Sequence, residues 1–96
     1  MTVLCPSNFA ELRTMLDRAV NEIKGPVAIR YPRGGEGNYK EDSGRQNLVV
    51  LREGEDITLC AYGTMINNVL GAAEILHKQG IEARVVKINA ISPLYD

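Results

Sequence analysis

Residues 34–46 hold four glycines, one tyrosine and eight polar or charged side chains, with no aliphatic residue among them. A run of ~13 such residues is longer than the usual connection inside a compact domain, so it reads as a linker between two units. It divides a chain of 96 residues into two short pieces. Neither piece is long enough to bury a large core alone. The chain is therefore expected to be part of a larger protein, or to pair with another chain.

The piece before the linker follows two periods. Phe9, Leu12, Met15, Leu16, Ala19, Val20 and Ile23 recur at close to 3.6 residues, which predicts an amphipathic helix. Ser7 is placed to cap it, without a full capping box, because Ala10 stands three residues on. Glu11, Arg13, Asp17, Arg18 and Glu22 fall on the opposite face and read as solvated, and Gly25-Pro26 stops the helix. Short apolar runs at Thr2–Cys5 and Val27–Tyr31 flank it as strands, giving β-α-β.

The piece after the linker predicts strands at Asn47–Leu51 and Ile57–Tyr62, the latter apolar enough to be buried on both faces. Glu53, Glu55 and Asp56 around Gly54 read as a solvated hairpin tip. Thr64 is the expected cap of a helix burying Ile66, Val69, Leu70, Ala73 and Leu76, which ends at Gly80. A last strand follows at Glu82–Ile88, and Ser92-Pro93 breaks the chain. This half reads β-β-α-β, its final β-α-β a right-handed parallel crossover. The expected fold is thus α/β. An open parallel edge at Glu82–Ile88 would invite pairing with a second copy.

Composition narrows the functional classes. The formal charge is −1, without the basic excess of a nucleic-acid binder. No apolar run approaches the ~18 residues that cross a bilayer, and the N-terminus has no secretory pattern, so no membrane partner and a cytoplasmic location are expected. Two cysteines make no disulfide framework. Cys60, in an apolar run, reads as core, and Cys5 as shielded by Pro6. The lone histidine, His77, falls in the last turn of a helix and reads as solvated.

Arg30-Tyr31-Pro32-Arg33-Gly34 is the most pointed chemical feature. It puts two guanidinium groups at the C-terminal end of a strand, where open α/β sheets bind ligands, and arginine suits bidentate capture of phosphate or carboxylate. By pattern alone, surface charges paired with nearby acids are the commoner meaning of such residues. Tyr62-Gly63-Thr64 is a strand-turn-helix junction that reads as a plain tight turn, since no phosphate-loop or dinucleotide glycine pattern is present. No set of residues makes a self-sufficient catalytic site.

Two blocks of sequence resemble a known family. Cys5-Pro6-Ser7, the Glu11-Leu12 and Met15-Leu16 helix and Gly25-Pro26-Val27-Ala28-Ile29-Arg30-Tyr31-Pro32-Arg33-Gly34 are similar to the end of the pyrimidine-binding domain of 1-deoxy-D-xylulose-5-phosphate synthases. Asp56–Met65 and Ala83–Leu94 are similar to the start of the transketolase-type C-terminal domain of the same family. The resemblance implies a division into 1–33, a linker at 34–46, and 47–96. It implies a parent enzyme, a dimer, that uses thiamine diphosphate and magnesium to condense pyruvate, with loss of carbon dioxide, with glyceraldehyde 3-phosphate on the way to isoprenoids and thiamine.

Arg33 matches the family arginine near the acceptor's phosphate, where a fixed charge orients the aldehyde. Arg30 is assigned no substrate contact; buried pairing is expected for it. The Gly-Asp-Gly motif that holds the diphosphate and metal is absent from this sequence, and the family's catalytic glutamate and histidines precede the region it covers. The expectation is thus of no catalytic, cofactor or metal residue, no bound cofactor and no activity in this piece alone. Its partners are the remainder of a parent chain or a second copy, with a sugar-phosphate substrate in the parent. The alternatives are part of a split transketolase, part of a 2-oxoacid dehydrogenase beta subunit, or a non-catalytic self-associating α/β module.

Overall fold

The structure, a computed structural model, describes residues 1–92. Pro93, where the chain is expected to break, lies outside the described residues. The order is β1 (Thr2–Leu4), α1 (Phe9–Asn21), β2 (Val27–Ile29), β3 (Leu48–Arg52), β4 (Ile57–Ala61), α2 (Met65–Lys78), β5 (Ala83–Ile88) and β6 (Ala90–Ser92). The α/β reading, with β-α-β before residues 34–46 and β-β-α-β after them, holds.

The strands form two three-stranded sheets, ordered β2-β1-β6 and β3-β5-β4. In the first, β1 and β2 are parallel, with Thr2 opposite Val27 and Leu4 opposite Ile29, and α1 is the crossover. In the second, β4 and β5 are parallel around α2, and β3 runs antiparallel to β5. Strand β6 is additional to the expected strands. After β5 the chain turns at Asn89 and lies antiparallel along β1, so its last described strand returns to the first sheet.

Each sheet has its own apolar cluster. Leu4, Met15 and Ala90 are buried together, with Ile23, Val27 and Ile29 packed around them. Ala61, Ile66, Ala73, Ala83 and Val85 form the second cluster, and Tyr39 of the 34–46 segment inserts into it. Burying one large apolar side chain is worth about 1.5–3 kcal/mol, so clusters this small give each unit modest independent stability. The end of α2 follows its sequence signal. Gly80 has φ 83, and the N–H groups of Gly80 and Ile81 return to the carbonyls of His77 and Leu76, the paired bonds that close a helix through a left-handed glycine.

Five expectations are corrected. The cap of α1 is Asn8, not Ser7: its side chain accepts from the Glu11 N–H at 2.8 Å. Glu11, three residues after Asn8, turns its carboxylate back to the Ser7 N–H and hydroxyl and is fully buried rather than solvated. Strand β4 is a sheet edge covered by α2 on one face only, which leaves Thr58 and Cys60 exposed. Strand β5 is the centre of its sheet rather than an open edge, because β3 returns antiparallel beside it. Finally, Thr64 makes no side-chain cap bond. The apolar stripe of α1 is only partly covered, with Phe9 59%, Leu16 49% and Val20 79% exposed, because the small first sheet does not span it.

Candidate functional site

The Arg30–Gly34 segment starts where β2 ends. The Arg30 N–H donates to the Leu4 carbonyl at 2.8 Å, one residue past the strand, and Pro32, lacking an N–H, ends the pairing. Arg30 is exposed rather than buried in an ion pair. Its guanidinium lies 5.4 Å from the ring centroid of Tyr62, within cation–π range. Tyr62 directly follows β4, so the C-terminal ends of strands from two different sheets meet here.

A cleft of about 230 Å³ runs between them, walled by Arg30, Tyr31 and Pro32 on one side and Tyr62, Gly63 and Thr64 on the other. Gly63 takes φ 62 to turn the chain from β4 into α2. The cleft thus combines a guanidinium with the positive end of a helix, a chemistry receptive to anions. The structure brings together the two junctions that the sequence singled out separately. Arg33 lies just beyond these walls and is exposed. A second hollow, about 210 Å³ and mostly apolar, separates the start of α1 from the Tyr31–Glu36 turn. The Glu36 carboxylate accepts from the Phe9 N–H at 2.9 Å, an acidic group at the positive end of α1.

Segment 34–46 has no regular structure but is bonded along its length. Asn8 Nδ2 donates to the carbonyls of Tyr39 and Glu41, Thr14 Oγ1 to Asp42, and Arg18 to the Gly44 carbonyl. On its other side the Tyr39 N–H donates to Asn67 Oδ1 of α2 at 2.8 Å. Gly37 lets the strap pass close to this amide: a Cβ there would stand 2.5 Å from the Asn67 side chain, which would have to shift. The segment is a strap between α1 and α2.

Beneath the strap lies a polar cluster that the sequence reading missed. Lys87 Nζ donates to Glu11 Oε1 at 2.8 Å, and both side chains are fully buried. Glu11 Oε1 also accepts from the Ser7 N–H and hydroxyl at 2.9 and 2.6 Å, and Oε2 from the Ser43 N–H and hydroxyl at 3.0 and 2.6 Å. Lys87 bonds Asn89 Oδ1 and faces the Tyr39 ring, 5.7 Å from its centroid. Asn89 Nδ2 in turn donates to the carbonyls of Ser43 and Gln46.

Burial pushes the Glu11 carboxyl up, but Lys87, Ser43 and Ser7 outweigh it and hold the group below its ordinary value. Burial pushes the Lys87 ammonium down, against the pull of Glu11. One signal for this cluster was present in the sequence. A lysine inside Val85-Val86-Lys87-Ile88 is a charge in an apolar strand and needs a counter-charge, though nothing local says which acid supplies it.

His77 stays at the surface, its Nδ1 2.5 Å from Glu82 Oε1. Among the described residues no group of His, Cys, Asp or Glu side chains is placed to hold a metal ion, and no helix is long and apolar enough to cross a membrane. The sequence contains no Gly-Asp-Gly.

Residues 46–96 match the family model described as transketolase, C-terminal domain. A 1-deoxy-D-xylulose-5-phosphate synthase of Microcystis aeruginosa is 44% identical over 100 residues, covering 98% of this chain and 16% of the relative. The chain thus spans about a sixth of that relative's length. Among solved structures, a split-gene transketolase, described as an inactive beta4 tetramer, is 37% identical with a TM-score of 0.76, covering 97% of this chain and 32% of that one. A transketolase from Pichia stipitis has a TM-score of 0.83 at 18% identity, covering 99% of this chain and 15% of that one, a likeness of fold alone.

Proposed function

The chain belongs to the transketolase C-terminal domain family, and from that premise we propose that it is part of a thiamine-diphosphate-dependent synthase of the 1-deoxy-D-xylulose-5-phosphate type. Residues 1–33 would close the pyrimidine-binding domain, 34–46 link it to the next, and 47–96 open the C-terminal domain. The family match beginning at residue 46 supports the last boundary. Thiamine diphosphate and magnesium would be held by parts of the longer protein outside this chain. What this chain contributes is recognition of the substrate's remote phosphate.

One observation carries the reading. Arg30, Tyr31 and Pro32, at the C-terminal end of β2, stand against the strand-to-helix turn at Tyr62–Thr64 with a cleft between them, and Arg33 follows Pro32 at its edge. Arg33 is the residue assigned to the phosphate. A fixed cation on the far end of a phosphorylated aldehyde holds its carbonyl carbon in place without taking part in bond formation, which lowers the entropic cost of reaction. Arg30, stacked on Tyr62, shapes the wall beside it.

The test is Arg33→Ala in the full-length protein. The Michaelis constant for glyceraldehyde 3-phosphate should rise by on the order of tenfold or more, while that for pyruvate changes little. Equal effects on the two substrates would remove the phosphate role. A split transketolase subunit is the second reading, favoured by the 37% identity over 97% of this chain to a split-gene transketolase. On that reading the chain acts only with a separately encoded partner, and mixing with that partner, not lengthening the chain, would restore activity.

A further inference from the structure

We propose that Glu11 and Lys87 form a buried charged clasp that sets the position of the Arg33 turn relative to the Tyr62–Thr64 turn, making them positioning residues for the substrate-phosphate site. The proposal rests on the reading of Arg33 given above.

The clasp joins three parts of the chain that sequence keeps apart. Glu11 belongs to the first turn of α1, Ser43 to the strap and Lys87 to the end of β5. Its two ends lead to the two sides of the cleft. On one side, Glu36 binds the first N–H of α1, and Arg33 stands three residues before Glu36. On the other side, β5 pairs along the whole of β4, with Ala61 opposite Lys87, and Tyr62 follows Ala61. A change in the Glu11–Lys87 contact therefore moves the two walls relative to each other.

A buried ion pair is weak support for stability as such, because apolar residues of similar volume often fold equally well. What it supplies is direction. Glu11 accepts bonds from Ser7, Ser43 and Lys87, and Lys87 donates to Glu11 and Asn89. Every buried side-chain N or O atom among the described residues has a partner. Such a fully satisfied set admits one arrangement of helix, strap and strand, whereas an apolar contact in the same place tolerates sliding. None of these groups reaches the cleft, so they act on substrate only through the turns they hold.

The experiment uses the full-length protein carrying Lys87→Met, Glu11→Gln, or the paired apolar replacement Glu11→Leu with Lys87→Met, which keeps the fold if either single variant does not. Two readouts are taken. The Michaelis constant for glyceraldehyde 3-phosphate should rise by on the order of tenfold, with that for pyruvate within about twofold. Amide hydrogen exchange should quicken across residues 33–46 while the protection of α2 stays. Lys87→Arg, which retains the charge, should recover part of both. Folded variants that leave exchange across 33–46 unchanged, or that alter both Michaelis constants equally, overturn the proposal. Arg33→Ala separates this result from the underlying reading. If it leaves the aldehyde constant unchanged, the phosphate assignment fails and exchange across 33–46 alone decides the clasp.

Discussion

Lys87 Nζ and Glu11 Oε1 lie 2.8 Å apart in a fully buried contact between residues 76 positions apart in sequence. The contact ties α1, the strap and β5 into one unit, although each sheet has its own small apolar cluster. The loss of one member would leave the other as an uncompensated buried charge, which costs about 3–5 kcal/mol.

Acid sensitivity follows from the same contact. Glu11 is held below its ordinary value of 4.5, so the folded state binds the carboxylate proton less readily than the unfolded state. Its contribution to stability is then fully present above pH 4.5 and is lost as pH falls through the lower folded value. The urea midpoint of the native protein should drop on acidification below this point. Glu11→Gln should start lower at neutral pH and show a flatter acid limb. A Gln variant with the same acid slope as the native protein would show that other carboxylates set it.

Asn8 serves both α1 and the strap. Its Oδ1 caps the helix through the Glu11 N–H, and its Nδ2 donates to the carbonyls of Tyr39 and Glu41. Asn8→Ala removes all three bonds and should cost about 2 kcal/mol or more in urea unfolding. Asn8→Ser keeps an acceptor for the cap and loses only the strap bonds, so it should cost less. Equal losses for the two would mean the cap contributes nothing here.

The two thiols should react unequally. Cys5 is buried, and burial pushes its thiol up, whereas Cys60 is exposed on the uncovered face of β4. Because the thiolate is the reactive form, iodoacetamide at about pH 8 should label Cys60 first in the folded 96-residue chain. Peptide mapping by mass spectrometry reads the ratio. Labelling of Cys5 at the rate of Cys60 would place its sulfur at the surface. In the longer protein proposed above, slowed labelling of Cys60 would mark β4's open face as covered there.

Element order was legible because it depends on neighbours in sequence. The 3.6-residue period located both helices, Gly80 ended α2 through its left-handed backbone, and short apolar runs marked β1 to β5. Arg30 and the Tyr62–Thr64 turn were each visible as junctions, but not as neighbours, since the distance between them depends on how two sheets meet. The two-faced burial expected of Ile57–Tyr62 fails for a related reason. An apolar run shows that a strand can be covered on both faces, not that this chain supplies both covers.

The sequence alone determined the α/β class, the β-α-β and β-β-α-β halves, and the arginine-rich turn between them. Periodicity, glycine and proline act over a few residues and need no partner from afar. Only the tertiary structure decided that the glycine-rich segment is a strap, that β6 returns to β1, and that a glutamate on the polar side of a helix wheel is buried against Lys87. A charge is stable inside a protein only when donors and a counter-charge converge on it, and that convergence is a property of the folded chain.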